Sequence, residues 1–328
     1  MRPKTKNGPC SSVFVRVCMP EDEAFAMSQD QPKTPSRKPA WLRRSLPAGP
    51  NYETVRALLK NGRLHTVCQE AKCPNVWECF SRQTATFLIL GPRCTRDCRF
   101  CNVQHGPDGP PDPEEPRRVA EAARAMNLRY AVVTSVTRDD LPDGGAAHFA
   151  ETIRAIRESI PGALIEVLVP DFQGCADSIR TVVEARPDVL NHNVETVPRL
   201  YPEVRPQAVY ARSLELLRRV RETAPGIPTK SGLMLGLGER NEEILETLRD
   251  LRAADCGILT LGQYLQPSKE HLPVARFVPP EEFEELRRTA LEMGFAEVAS
   301  GPFVRSSYHA GEVYQSAGLG GSAPASDS

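Results

Sequence analysis

The chain has little that would take it across a membrane or onto a nucleic acid. None of its hydrophobic runs approaches the 18 apolar residues of a membrane span. The nearest approach to an N-terminal apolar stretch, residues 13–17, is too short for a secretory signal and is broken by Arg16. Net charge is only −1, from 41 Lys and Arg against 42 Asp and Glu, so the chain as a whole offers no cationic face to a polyanion. Its glycine-rich strings, Gly144-Gly145 and Gly232, Gly236, Gly238, do not follow G-x-G-x-x-G, which argues against a Rossmann dinucleotide site. These absences point to a cytoplasmic protein without a membrane or nucleic-acid partner. At 328 residues and 40% hydrophobic composition it can still build a sizeable core.

What the chain does have is cysteine in a narrow window. Six of its ten cysteines fall in 34 residues, as Cys68-x4-Cys73-x5-Cys79 and Cys94-x3-Cys98-x2-Cys101. Iron–sulfur cubanes usually take four protein thiolates. A group of three leaves one iron open to a substrate, a cofactor or an unusual ligand. The second group, Cys94-Thr-Arg-Asp-Cys-Arg-Phe-Cys101, resembles the CxxxCxΦC signature of radical S-adenosylmethionine (SAM) enzymes, with Phe100 in the aromatic slot. Zinc is the main competitor, since Cys98-x2-Cys101 is also half of a zinc ribbon. A ribbon needs a second such pair, however, and His65 and His105 only flank the group, in polar loop sequence. Six paired cysteines would suit a small secreted scaffold better than a chain of this length.

Charge and pattern divide the chain. Residues 1–67 carry twelve Lys and Arg against five Asp and Glu, a net +7 that reads as a solvated arm or as a docking surface for an acidic partner. Residues 1–37 have no hydrophobic period and are expected to be disordered. Met19 and Met27 are alternative starts to Met1, and Cys10 and Cys18 have no cluster spacing. Residues 316–328 read as a flexible tail. Between these ends, short β-branched runs at 84–90, 130–136, 163–169, 188–193, 229–235 and 258–263 alternate with segments of helical period. Phe149, Ile153 and Ile156 recur at i, i+4 and i+7, as do Ile244, Leu248 and Leu251, and Phe283, Leu286, Ala290 and Met293 close the series at i, i+3, i+7 and i+10. Strict β/α alternation implies a parallel sheet with helices outside it. Six units are fewer than the eight of a closed barrel, so the expected fold is α/β, an open, partial (βα)6 TIM-type barrel. Chemistry in such folds sits at the C-terminal strand ends, where Cys94–Cys101 follows the first strand. Cys175 and Cys256 stand alone in the predicted scaffold and read as small buried hydrophobes.

Three further strings carry a family resemblance. Cys68-Gln-Glu-Ala-Lys-Cys-Pro-Asn-Val-Trp-Glu-Cys79 is similar to the CxxxxCxxxxxC motif of lipoyl synthases, and Arg305-Ser306-Ser307-Tyr308 to that family's C-terminal RSSY motif. The stretches from Thr134 to Gly145 and from Asn191 to Tyr201 resemble it too. The likeness runs from about Lys38 to Ala310. It implies an N-terminal auxiliary-cluster segment at 38–83, a radical SAM barrel at 84–299 and a C-terminal capping segment at 300–315. It also implies the reaction: insertion of two sulfur atoms at C6 and C8 of an octanoyl chain held on a carrier-protein lysine, giving the lipoyl cofactor. Those carbons are unactivated, so hydrogen must leave as an atom, to a 5′-deoxyadenosyl radical made from SAM. On this resemblance Cys94, Cys98 and Cys101 hold one [4Fe–4S] cluster, whose open iron chelates SAM. Cys68, Cys73 and Cys79 hold a second, auxiliary [4Fe–4S] cluster, completed by a serine oxygen, with Ser307 chosen over Ser306. Arg305 and Ser307 are the catalytic candidates; Phe100, Thr134, Asn193, Glu195 and Arg212 are the SAM-contact candidates, with Arg212 suited to the methionyl carboxylate. The implied partners are octanoylated lipoyl-carrier proteins (2-oxoacid dehydrogenase E2 domains and the glycine cleavage H protein) and a low-potential electron donor. The competing readings are another two-cluster radical SAM enzyme, such as a methylthiotransferase or biotin synthase, and a non-catalytic iron–sulfur or zinc scaffold.

Overall fold

The computed structural model of the chain describes residues 38–43, 50–106 and 108–318. The expected disordered extension at 1–37, with Cys10, Cys18, Met19 and Met27, lies outside the described residues, as do residues 319–328 of the tail expected at 316–328, whose first residue, Ser316, ends the last helix. Each of the six predicted strand regions contains a strand. In chain order the strands are β1 (His65–Thr66), β2 (Thr86–Ile89), β3 (Arg93–Cys94), β4 (Gln104–His105), β5 (Tyr130–Ser135), β6 (Leu164–Leu168), β7 (Val189–Asn191), β8 (Thr229–Leu235), β9 (Ile258–Gln263) and β10 (Glu297–Gly301). The main sheet runs β1-β2-β5-β6-β7-β8-β9-β10, while β3 and β4 pair with each other in the loop beyond β2. All neighbours from β2 to β10 are parallel, and only β1 is antiparallel to its partner β2. Among the described residues no ladder joins β1 to β10, so the barrel is open, as expected.

Helices α1 (Pro50–Asn61), α2 (Val67–Glu70) and α3 (Val76–Ser81) precede the first parallel strand. Each of the six predicted strands is then followed by a covering helix: α4 (Glu115–Ala125), α5 (Ala146–Ser159), α6 (Ala176–Glu184), α8 (Tyr210–Thr223, after the short α7, Tyr201–Val204), α9 (Asn241–Ala253) and α10 (Pro280–Glu292). The seventh parallel strand, β10, and the terminal α11 (Ala310–Ser316) extend the expected six units. The helical periods locate the core. Phe149, Ile153, Ile156, Ile244, Leu248, Leu251 and Phe283 are all 0% exposed. Each side chain of this kind, once buried, contributes about 1.5–3 kcal/mol. With helices on one face and the barrel interior on the other, β2 and β9 are buried at every position, as parallel strands covered on both faces should be.

Two glycines make room inside the barrel. A Cβ on Gly262 of β9 would lie 2.1 Å from the Val304 carbonyl oxygen, and one on Gly232 of β8 would lie 2.4 Å from Thr260 Oγ1 and 3.3 Å from Ser306 Oγ. The segment after β10 therefore lies against the sheet interior only because these positions have no side chain. Gly262→Ala must push backbone aside. It is expected to destabilise the fold by ~1–3 kcal/mol, read as a lowered Tm, and to displace residues 304–306.

Candidate active site

The structure brings both cysteine triads to one cavity of about 930 Å³. The Cys94–Cys101 loop leaves the C-terminal end of β2 and is closed at its base by the β3–β4 pair. Its backbone is pinned from several sides: Thr95 N donates to Thr137 O (2.9 Å), Arg99 N to Val204 O (2.9 Å), and Leu272 N to Arg99 O (3.2 Å). Arg96, buried inside the loop, donates to Asp139 (2.7 Å) and to Asp171 (2.5 Å). Burial works against ionisation of Asp171, but the hydrogen bond and charge of Arg96 override it and hold its carboxyl at about 2. A carboxyl lowered in this way stabilises the fold above its ordinary value near ~3.9, and that contribution is lost as pH falls toward about 2. Arg96→Leu leaves Asp171, 1% exposed, with only the more exposed Arg212 as its ion-pair partner, at 3.2 Å. The expected cost is ~1.5–3 kcal/mol at neutral pH, the worth of a hydrogen bond to a charged group, shrinking in acid as Asp171 protonates, which denaturant titrations at several pH values would check.

The other triad is mounted on the N-terminal segment. Cys68 lies in α2, whose N-cap Thr66 accepts from Gln69 N (3.3 Å), and Cys79 lies in α3. Tyr52 of α1 stacks on Trp77 at 4.2 Å and holds α3 in place. The C-terminal motif is tied to this segment across some 230 residues of sequence: Asn75 Nδ2 donates to Phe303 O (2.7 Å) and Tyr308 Oη to Glu78 Oε1 (2.9 Å). Asn75 and Glu78 belong to the first cysteine motif and Tyr308 to the RSSY string, so the two motifs are halves of one construction.

Arg305, Ser306 and Ser307 line the same cavity, as do Phe100, Thr134, Asn193 and Glu195. The two serines differ. Ser306 Oγ accepts from Asn193 Nδ2 at 2.6 Å, and the same amide donates to Glu195 Oε1 at 3.0 Å. Ser307 is half-buried and has no recorded hydrogen bond. Thr134 Oγ1 donates to Leu168 O (2.9 Å), which fixes it beside the cavity at the end of β5. Asn193 Oδ1 is buried without a hydrogen-bond partner, as is Ser135 Oγ on the same wall. Both are polar atoms awaiting a ligand.

Arg212 departs from the expectation. It does not line the cavity, and its guanidinium pairs instead with Asp171 at 3.2 Å. Arg205 lines the cavity, buried, and donates to the carbonyl oxygens of Asn193 (3.0 Å) and Val194 (3.1 Å). Its Nε is buried and unpartnered. Sequence reading passed over it because Pro202-Glu-Val-Arg-Pro206 shows neither helical nor strand period. His192 is pulled down to about 4 by burial and then by the charge of Arg205, so it is neutral at physiological pH. Cys256 is buried as expected, whereas Cys175 is exposed, at the start of α6.

The donor set fits iron–sulfur clusters. Among the described residues no disulfide forms. Burial pushes the thiols of Cys68 and Cys101 up to about 12 and that of Cys98 to about 11. Cys68 also feels the charges of Cys73 and Cys79, and Cys101 those of Cys98 and Cys94, so each triad is close-set. Three gathered thiols in a dry site resist ionisation unless a cation offsets their charge, which cluster irons do. A cubane takes its thiolates one per iron and not at a single point. Among the described residues no three His, Cys, Asp or Glu side chains converge as ligands of one ion.

The comparisons with known proteins bear on this site directly. The model of the Radical SAM superfamily matches residues 88–251, and that of the N-terminal domain of lipoyl synthase matches residues 1–73. A lipoyl synthase from Desulfotalea psychrophila is 60% identical over 282 residues, covering 86% of this chain and 94% of its own length. The chain belongs to the lipoyl synthase family. A second lipoyl synthase, from Rubrobacter xylanophilus, is 57% identical over 86% of this chain and 88% of its own length. Among solved structures, HydG, a maturase of the [FeFe]-hydrogenase, superposes with a TM-score of 0.52 at 15% identity, over 74% of this chain and 65% of that one, and so shares the fold. As a lipoyl synthase family member with a radical SAM domain, the chain is a radical SAM enzyme. It uses SAM and [4Fe–4S] clusters, an auxiliary cluster among them.

Proposed function

We propose that the protein inserts two sulfur atoms, at C6 and C8, into an octanoyl chain carried on a lysine of a lipoyl-carrier protein. The observation that carries this is the meeting of both cysteine triads and the RSSY segment on one cavity wall. When bound, SAM with its cluster supplies hydrogen-atom abstraction and the auxiliary cluster supplies sulfur. Cys94, Cys98 and Cys101 would hold the first cluster; Cys68, Cys73 and Cys79, with Ser307, would hold the second. Asn193 and Glu195 would meet polar groups of SAM, and Arg205 would take the cationic role first expected of Arg212. The barrel wall would shield the reacting carbons, whose radicals oxygen or a stray hydrogen-atom donor would quench. The chain's task is to bind, orient and keep dry; the difficult bond-breaking belongs to the cofactors.

The carriers we envisage are 2-oxoacid dehydrogenase E2 domains and the glycine cleavage H protein, served by a low-potential electron donor in the cytoplasm. Among the described residues no helix is long and apolar enough to cross a membrane. Anaerobic incubation of the reconstituted enzyme with SAM, dithionite and an octanoyl-lysine peptide should give 5′-deoxyadenosine and a peptide bearing two added sulfurs by mass spectrometry. No 5′-deoxyadenosine would return the protein to a scaffold role. A methylthio product would assign it to another sulfur-inserting class.

A further inference from the structure

The cavity extends well beyond the cysteines. On β2 it is lined by Thr86 and Leu88, and on β5 by Tyr130, Val132 and Thr134, while the alternate residues Phe87, Ala131 and Val133 face away from it. Thr86 stands opposite Val132, and Leu88 opposite Thr134. A period of two on both strands means that the cavity follows their inner face from end to end. At the C-terminal end lie Ser135 and Cys94. At the N-terminal end the cavity reaches the surface: among the described residues seven exposed side chains border it, and five of them, Arg82, Thr84, Asn127, Arg129 and Glu312, flank the starts of β2 and β5 or belong to the α11 helix packed there.

We infer that the octanoyl-lysine arm of the carrier enters through this mouth, at the opposite end of the barrel from the Cys94–Cys101 loop. The inference rests on the sulfur-insertion reading above. Distance permits it. From Tyr130 to Thr134 the strand advances ~13 Å. An extended lysine side chain with its octanoyl group, roughly thirteen atoms at ~1.2 Å per bond, spans roughly 15 Å. Chemistry favours it as well. Ala85, Leu88, Leu128 and Val132 give the passage apolar walls suited to an acyl chain. Thr86 lines the same cavity as Cys68, Cys73 and Cys79, so the acyl chain would pass the auxiliary triad on its way to the SAM end.

The rim indicates what docks there. Glu312 is paired with Arg82 (3.1 Å) and in contact with His309 Nδ1 (2.7 Å). Arg129, and Arg124 in the last turn of α4, have no recorded ion pair among the described residues, which leaves the rim cationic. Such a rim suits an acidic carrier surface, and charges of this kind set encounter rate and salt dependence. Toward the other end the exposed Lys72 also borders the cavity, beside the Cys94–Cys101 loop that Val204 and Leu272 hold by backbone hydrogen bonds.

Arg129 offers a clean test, because its side chain makes no recorded contact that the fold depends on. With a synthetic octanoyl-lysine peptide flanked by acidic residues, Arg129→Glu and Arg129→Trp are each expected to raise the peptide KM about ten-fold, a factor worth about 1.4 kcal/mol, with a much smaller change in kcat. Gln266→Trp, at the opposite end of the cavity, should leave the peptide KM unchanged. Unchanged KM in both Arg129 variants, or an equal or larger rise in Gln266→Trp, would overturn the route. A wild-type enzyme that adds no sulfur to this peptide would instead sink the sulfur-insertion reading on which the route rests.

Discussion

Replacing Cys94, Cys98 and Cys101 together with alanine should abolish SAM cleavage and leave roughly four irons per chain where the reconstituted wild type holds roughly eight. Replacing Cys68, Cys73 and Cys79 should also halve the iron but preserve SAM cleavage, with loss confined to sulfur insertion. Each triad hangs on a separate scaffold: the first on the loop locked by Arg96 to Asp139 and Asp171, the second on α2 and α3 braced by the Tyr52–Trp77 stack. Neither scaffold depends on the other's thiolates, so each cluster should assemble alone. Iron analysis and 5′-deoxyadenosine release measured on the same samples would check this. The same phenotype from both triple variants would end the division of labour.

Much of this architecture was legible in the sequence because the strongest patterns are also the most buried. Ile244, Leu248 and Leu251 repeat at helical spacing since they form the inner face of α9, all at 0% exposure. The cysteine spacings were equally plain, since thiolates that share a cluster must return to it at short intervals. What escaped notice carries no period. In β10, Glu-Val-Ala-Ser-Gly, only Val298 is buried, so hydrophobic alternation could not announce the strand; its pairing with β9 holds it. Arg205 and Arg212 look alike in sequence, and Arg212 had the more helical setting. Burial separates them: one is buried against the carbonyls of Asn193 and Val194 on the cavity, while the other stays partly exposed and pairs with Asp171. The docking surface expected of residues 1–67 can be only partly located, since residues 1–37 and 44–49 lie outside the described residues. The cationic mouth at Arg129 has no motif at all. It exists only because the topology brings the starts of β2 and β5 beside α11.

The two serines of the RSSY string should separate by function as they do by contact. Ser306 is engaged: Asn193 donates to its hydroxyl, and through Asn193 it is coupled to Glu195 on the SAM side of the cavity. Ser307 borders the cavity with no recorded partner, which leaves its oxygen available to an iron of the auxiliary cluster. Ser307→Ala should therefore still assemble a cluster on Cys68, Cys73 and Cys79 and still cleave SAM, yet insert little or no sulfur. Ser307→Cys is the sharper variant. A thiolate is a softer and less readily protonated ligand than an alkoxide, so a four-thiolate cluster should resist dismantling and remain intact after SAM has been cleaved. Ser306→Ala removes one hydrogen bond, worth ~0.5–1.5 kcal/mol, and should raise the KM for SAM a few-fold while leaving the auxiliary cluster and its sulfur transfer in place. Iron content, 5′-deoxyadenosine and sulfur transfer measured on all three variants distinguish these outcomes. Wild-type turnover in Ser307→Cys, or a severe sulfur-transfer defect in Ser306→Ala beside a silent Ser307→Ala, would give the ligand role to the other hydroxyl and leave the Asn193 contact as the resting position of a group that moves.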